Sequence, residues 1–437
     1  MAMRVRAFSS EVEAGSRKEN ALNQESRDPF RCNRNGTGSR GPIAYIALYA
    51  ALYGAFGVAS PFWPKFFETR ALAPEQIGII LAAALLMRLV AGPLVGIFAD
   101  VVQSLRLVLA SCIGLAAATA VALLWADGFW LLLLVALVQA AALAPTTSIA
   151  DALSVNAARP QRAGRPFEYG WIRGSASAAF VCGTLLVGQL ISPTDLTRVI
   201  WLNAALLIAA AGATALVPKV PNQLARHGGT SQIARAVRGL VAIARFRILL
   251  LVSALIYGSH ATHDAFAVIR WSNAGIDTSV ISLLWSEAVA AEVIVFFLAG
   301  PALLRRFGAR NAAALAAAAG ILRWSIAGVT NSVTVLALLQ PLHGLTFALL
   351  HLACMRMMAA LVPTHLAATA QALYAFGAGA VTAALTLFSG FFYASYGGGA
   401  FVVMAILCGI AVPLVWFGFT DAREPAPLRR RDTTATR

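Results

Sequence analysis

Residues 279–304 read SVISLLWSEAVAAEVIVFFLAGPALL. Two acids, Glu287 and Glu292, are the only charges in the run. About 20 apolar residues cross a bilayer as a helix, so a run of this length spans a membrane. Comparable runs recur along the chain. They fall at about 43–66, 75–98, 106–125, 129–155, 169–191, 197–217, 247–272, 279–304, 311–329, 333–360, 366–394 and 397–420. Lipid leaves backbone groups no partner but the chain itself, so only helices or closed barrels can span. The runs are too long, and too rich in Leu and Ala, for barrel strands. The expected class is an all-α polytopic membrane protein with twelve transmembrane helices.

Composition agrees. Of 437 residues, 59% are hydrophobic and 12% charged, about half the roughly 25% charged residues of soluble domains. The net charge of +15 would suggest nucleic acid in a soluble protein, but its placement excludes that reading. Arg and Lys collect in residues 1–42 and 421–437 and in alternate loops. Those loops hold Arg106, then Arg159, Arg162 and Arg165, then Lys219 to Arg247, then Arg305, Arg306 and Arg310. The opposite loops hold little beyond Lys65, Arg70 and Arg198. By the positive-inside rule both termini are expected in the cytoplasm, across a bacterial-type inner membrane. The five cysteines are scattered, so no disulfide framework or metal site is expected. Residues 1–42 lack an apolar core and are no signal peptide. They are expected to be a disordered basic tail, as are 421–437.

The polar segment 218–246 reads as a linker between two six-helix bundles, 43–217 and 247–420. A repeat supports two equivalent halves. Tyr53-Gly54 matches Tyr257-Gly258, and Ile77 matches Ile281, each pair 204 residues apart. Ala91-Gly92-Pro93 matches Ala299-Gly300-Pro301 at 208. Parallel repeats with a binding site at their interface are the architecture of major facilitator transporters.

The residues able to carry chemistry are those stranded in apolar surroundings, where charge is expensive unless it faces a partner or a wet cavity. In the second half these are His260, Asp264, Glu292, Arg323, His343 and His351. Glu292, desolvated on both sides, suits proton pick-up and release near neutral pH. Glu287 lies about 140° away round the helix and faces elsewhere. Arg323 needs a carboxylate partner or an anionic substrate. It is expected to pair with Glu292 or to bind a substrate carboxylate. His343, Phe347 and His351 stand at i, i+4, i+8 and share roughly one face. His260 and Asp264, at i, i+4, are expected to hold a proton between them, with His263 as an alternative partner for Asp264. The proton-coupling set is therefore Glu292, His260, Asp264, His343 and His351.

In the first half, Arg88 is the base deep in a span. Tyr45, Tyr49 and Tyr53 form a stripe on the first span, and Gln139, Thr146 and Thr147 add polar groups on the fourth. An aromatic-lined cavity with one arginine suits an organic acid. Arg323, Arg88, Tyr49, Tyr53, Gln139 and Phe347 are the expected substrate contacts. Asp100, Asp151 and Arg173 are expected as a charge cluster that helps close an inner gate, with Arg356 in the matching structure of the other half.

The chain resembles the phenylpropionate:proton symporter-like branch of the major facilitator superfamily, which is related to sugar and nucleoside proton symporters. The matching segments are Ser60-Pro61-Phe62-Trp63-Pro64, Pro74-Glu75-Gln76-Ile77-Gly78 and Arg88 to Asp100 (RLVAGPLVGIFAD). In the second half they are Gly258-Ser259-His260-Ala261, Leu283-Leu284-Trp285, Ala291-Glu292-Val293, Leu322-Arg323-Trp324, and His343-Gly344-Leu345-Thr346-Phe347 running on to His351 and Arg356. The resemblance covers about residues 43–420. It departs at Asp100, which is followed by Val101 and Val102 where the superfamily usually has Arg and Gly, and at Asp264, which the family pattern does not include.

The resemblance implies proton-coupled import of a small organic solute, an aromatic carboxylate such as phenylpropionate, by a chain acting as a monomer with protons and solute as its partners. Proton-coupled efflux and sugar or nucleoside symport are the alternatives. An enzyme would need a nucleophile–base pair or a metal set, and neither is seen in the sequence. There is no GxxxxGK[ST] loop for ATP-driven transport. No cofactor is expected.

Overall fold

The apolar runs fold as helices because each satisfies its own backbone, and tertiary packing decides only how they lean on one another. The structure, a computed structural model, describes residues 40–102, 104–158, 169–192, 194–218 and 230–419. The basic tails, the arginines of 159–168 and residues 219–229 of the linker lie outside the described residues. The first half comprises Arg40–Ala59 with its bent continuation Trp63–Thr69, then Pro74–Val102, Leu105–Ala122, Phe129–Leu143 with Thr146–Ala158, Tyr169–Leu190 and Thr197–Ala213.

After the linker helix Thr230–Ala242 the chain turns by 90° into the seventh span, Ala244–Gly258 and Ala261–Asn273. The tenth span runs through Val333–Leu339, Leu342–Gly344, Leu345–Leu349 and Leu350–Leu361. The stretches Thr278–Ala327 and Thr364–Gly418 hold 50 and 55 residues. A straight helix of that length would reach about 75 Å, more than twice a bilayer core of about 30 Å. Each is two spans, because the chain breaks at Gly308 (φ 74°) and Gly397 (φ 53°), left-handed conformations that glycine adopts freely. Divided there, the helices of the described residues are consistent with twelve spans.

The halves repeat the same packing. The first span packs on the fifth and sixth, the third on the fourth and sixth, and the second on the fourth. Six spans later the pattern recurs: seventh on eleventh and twelfth, ninth on tenth and twelfth, eighth on tenth. The halves meet through the second span against the eleventh and the fifth against the eighth, contacts related by the same exchange. Both are made by small residues. A side chain at Gly78 would sit 3.0 Å from Gly390 Cα, and one at Gly188 would sit 2.0 Å from Ser282 Oγ.

The halves do not meet evenly along their length. One hydrophobic core crosses between them, drawing Phe62, Phe66 and Ile77 from one side and Phe266, Trp271 and Ile281 from the other. It lies at the ends of the spans far from the chain termini. Two further cores, one around Tyr45, Leu109 and Leu207 and one around Phe246, Ala316 and Met357, each belong to a single half at the terminus-side ends. Polar contacts between halves also sit at the far ends. Lys65 bonds both Glu68 and Asn273, Asn273 Nδ2 donates to Glu68 Oε1 at 2.9 Å, and Thr278 Oγ1 lies 3.0 Å from the carbonyls of Gly188 and Ile191. The molecule is closed at the far ends and parted at the terminus-side ends.

Two close approaches place the second half's polar residues. A side chain at Gly344 would lie 2.6 Å from Ala291 O and 2.7 Å from Val295 Cγ2. The tenth span therefore touches the backbone of the eighth one residue before Glu292. Just beyond this contact both spans loosen into π turns, Val295–Ala299 and Leu345–Leu349, a distortion frequent at functional sites.

Two outcomes follow. Asn273→Ala removes the hydrogen bonds that Asn273 makes across the halves but leaves Lys65 and Glu68 paired. At about 1 kcal/mol for the lost bonding, the population parted at the far ends should rise about fivefold. Electron–electron distance measurements between spin labels on the far ends of the first and seventh spans would record it, and an unchanged distribution would deny the latch. Gly344→Val forces the tenth span off the eighth. It should cost about 1–3 kcal/mol, read as a lowered Tm of the detergent-solubilised protein, whereas a wild-type Tm would mean the contact is not tight.

Candidate coupling and solute site

Glu292 is half-buried on the eighth span, and its Oε2 lies 3.6 Å from His343 Nε2. The other ring nitrogen of His343 lies 3.0 Å from Arg323 Nη1. A guanidinium has only donors, so His343 Nδ1 accepts, and the proton of the neutral ring sits on Nε2, facing Glu292. Arg323 is 1% exposed. Its Nη2 donates to Gln340 Oε1 at 3.0 Å, and its carbon lies 4.4 Å from the centre of the Trp324 ring. None of these contacts is a carboxylate. The expected Arg323–Glu292 ion pair is thus corrected: His343 stands between them. Arg323, expected among the substrate contacts, is buried behind His343 and Gln340 in this conformation.

The expected His260–Asp264 pair is not formed either. The helical turn from His260 to Asp264 is intact, with Asp264 N bonded to His260 O at 2.9 Å, but both side chains are held by other partners. His260 Nδ1 lies 3.1 Å from Ile256 O and 3.2 Å from Tyr257 O, so it donates, and Nε2 accepts from Thr346 Oγ1 at 3.0 Å. Both nitrogens are used, and His260 is a buried neutral strut between the seventh and tenth spans. Asp264 pairs instead with His263, whose Nδ1 is 3.1 Å away. His263 stacks on Trp285 at 5.2 Å with Trp324 and Trp271 at its other faces.

His351 lies 3.4 Å from Tyr374 Oη, and Tyr374 donates to Tyr257 Oη at 3.0 Å. Glu292 on the eighth span and Arg173 on the fifth belong to opposite halves. Phe347 stacks on His343 and meets Tyr257 edge-on, with ring centres 5.5 and 5.2 Å apart.

In the first half two tyrosines of the stripe, Tyr49 and Tyr53, and two of the expected gate residues, Asp151 and Arg173, form one cluster. Tyr49 Oη donates to Asp151 Oδ1 at 2.5 Å, and Arg173 Nη1 donates to Tyr53 Oη at 2.8 Å and lies 3.6 Å from Asp151. Tyr49 and Tyr53 stack within 7° of parallel. Asp151 and Arg173 meet as expected, but on the tyrosines of the first span. The side chain of Asp100 lies outside the described residues. Arg356 donates to Leu304 O at 3.0 Å, tying the tenth span to the end of the eighth. Gln139 is buried in the fourth span and joins neither cluster by a hydrogen bond. Arg88 is exposed on the second span.

Sequence reasoning missed Gln340, Trp324 and Thr346, the residues that fix Arg323 and His260. Gln340 stood one helical turn before His343, which was its available signal. Trp324 Nε1 is itself anchored on Ser259 Oγ at 2.9 Å, which Cys408 Sγ also approaches at 3.3 Å.

The arrangement is that of a solute carrier: two pseudo-equivalent bundles, polar clusters facing across a cleft, and one end sealed. Comparison with known proteins agrees. The chain is 31% identical over 387 residues to a probable 3-phenylpropionic acid transporter of Escherichia coli (strain K12), covering 85% of this chain and 96% of that protein. It is 26% identical over 372 residues to a maltose permease of Geobacillus stearothermophilus, covering 84% and 92%. The crystal structure of the nucleoside transporter NupG superposes with a TM-score of 0.74 at 19% identity, over 86% of this chain and 97% of that one. A bacterial homologue of the lysosomal transporter Spinster, in an inward-facing and unoccupied conformation, superposes at 0.68 and 15% identity, over 86% and 95%. Residues 43–404 match the family model described as the MFS_1 like family. The chain is therefore a multi-pass membrane transporter of the MFS_1 like family, within the major facilitator superfamily.

Proposed function

We propose that this transporter imports a small organic solute together with protons across a bacterial inner membrane, and that Glu292 is the proton carrier. The observation that carries the reading is the row Gln340–Arg323–His343–Glu292. His343 cannot take a second proton and keep its bond from Arg323, because both ring nitrogens would then be donors. The proton therefore belongs on Glu292. Deprotonated, Glu292 has the Nε2–H of His343 beside it and the charge of Arg173 across the cleft. Protonated, it loses its attraction to Arg173 and lets the halves move independently. A carboxylate that alternates between a proton and a cation on the opposite half couples proton binding to the relative position of the halves.

The arginine-rich loops support a cytoplasmic location for both termini. With that orientation, the sealed far ends face outward and the parted ends face the cytoplasm, an inward-open shape. Alternating access then exchanges the far-end contacts around Asn273 and Thr278 for contacts at the terminus side. The likeness to a probable 3-phenylpropionic acid transporter supports an aromatic carboxylate as the solute, and the aromatic faces of Tyr53 and Phe347 suit it.

Proteoliposomes loaded with a pH-sensitive dye test the proposal. External 3-phenylpropionate should acidify the lumen in the wild type, and Glu292→Gln, which keeps shape but cannot release a proton, should abolish acidification. Equal acidification by the variant would remove Glu292 from the coupling.

A further inference from the structure

We infer that the cleft binds an organic monoanion and that Arg88, on the second span, receives its negative charge. This rests on the transport reading of the same cleft and names the chemistry that the solute must carry. Arg88 lies about 160° round the helix from Leu86 and Val90 and about 180° from Ile97. Those three are exposed apolar residues, whereas Gly92, about 40° from Arg88, faces Ala144 of the fourth span and Leu89, about 100° away, packs on Gly379 of the eleventh, so Arg88 lies on the side of the helix turned to those spans. It is nevertheless exposed, and an exposed side chain on the inward side of a span lines an internal, solvent-accessible space.

The other arginines of the spans are engaged. Arg173 is bonded to Tyr53 and paired with Asp151. Arg323 is bonded to His343 and Gln340 and buried. Arg356 is bonded to a helix-end carbonyl. Among the described residues Arg88 makes no hydrogen bond and no ion pair. Arginine stays charged at any physiological pH, and a membrane chain does not keep an uncompensated guanidinium in a span without a use for it. Its planar fork matches a carboxylate bidentately.

The cleft's other charged groups, Asp264, Glu292 and the Arg173–Asp151 pair, sit on other spans. The division of labour is therefore solute charge on the first half and proton on the second. One proton on Glu292 carried with one carboxylate on Arg88 moves no net charge.

The test is equilibrium binding to the full chain in nanodiscs, by calorimetry, of two compounds of one shape: 3-phenylpropionate and its neutral amide, 3-phenylpropionamide. The wild type should prefer the acid by about 10- to 100-fold, the range of a charge-assisted hydrogen-bonding pair. Arg88→Gln should lose that preference while keeping the wild-type Tm, and Arg88→Lys, a point charge, should keep part of it. A wild type that binds both equally, or binds neither, overturns the inference. So does an Arg88→Gln chain that still prefers the acid. Proton movement in Glu292→Gln vesicles is read separately. A failed anion site with intact proton coupling leaves the transport reading standing, and an intact anion site without proton movement defeats transport alone.

Discussion

The whole second half is organised around a cation that cannot leave. Arg323 is buried in the membrane with no carboxylate bonded to it. Its charge is held by the lone pair of His343, the amide oxygen of Gln340 and the face of Trp324. Removing any of these would leave a buried donor or charge unsatisfied, which costs far more than the bond itself contributes. That constraint fixes the tautomer of His343, turns its remaining proton toward Glu292, and fixes Trp324 through Ser259. The bond between His260 and Thr346 braces the same region between the seventh and tenth spans. In the proposed function, a rigid support of this kind lets Glu292 be the element that changes charge.

The pseudo-equivalent positions of the first half carry different chemistry. Tyr53 and Tyr257 are related by the repeat. Tyr53 bonds a fixed cation, Arg173, whereas Tyr257 bonds Tyr374, which leads to the titratable His351. The duplicated frame supplies two facing sites of the same shape. Substitution has made one side permanently charged and the other titratable. Small residues at Gly78, Gly188 and Gly390 let the halves touch backbone to backbone at the far ends, so a modest change of charge in the cleft acts on a short lever.

Much of this was legible in the sequence. Run length and charge placement give the spans, and the Tyr-Gly, Ile and Gly-Pro repeats give the two halves. Glu292 and His343 are conspicuous because lipid makes them expensive. The partners were less legible, for identifiable reasons. His260 and Asp264 stand one helical turn apart, but the ring of His260 is taken by Ile256, Tyr257 and Thr346 and the carboxylate of Asp264 by His263, partners that spacing alone does not reveal. The π turn at Leu345–Leu349 disturbs the i, i+4, i+8 register. His343 and Phe347 still stack, while His351 meets Tyr374 and Phe296. Arg323 and Glu292 attract on paper, but no spacing rule reveals that a neutral imidazole lies between them. Asp151 and Arg173 pair as expected, yet their seat on Tyr49 and Tyr53 is a tertiary fact.

The central claim is that Glu292 alternates between carboxylic acid and carboxylate beside a neutral His343. Infrared difference spectra of the protein in nanodiscs, recorded across neutral pH, test it most directly. The account predicts a carboxylic-acid carbonyl band that disappears as pH rises and is absent from Glu292→Gln. A difference spectrum identical in the two proteins would contradict it.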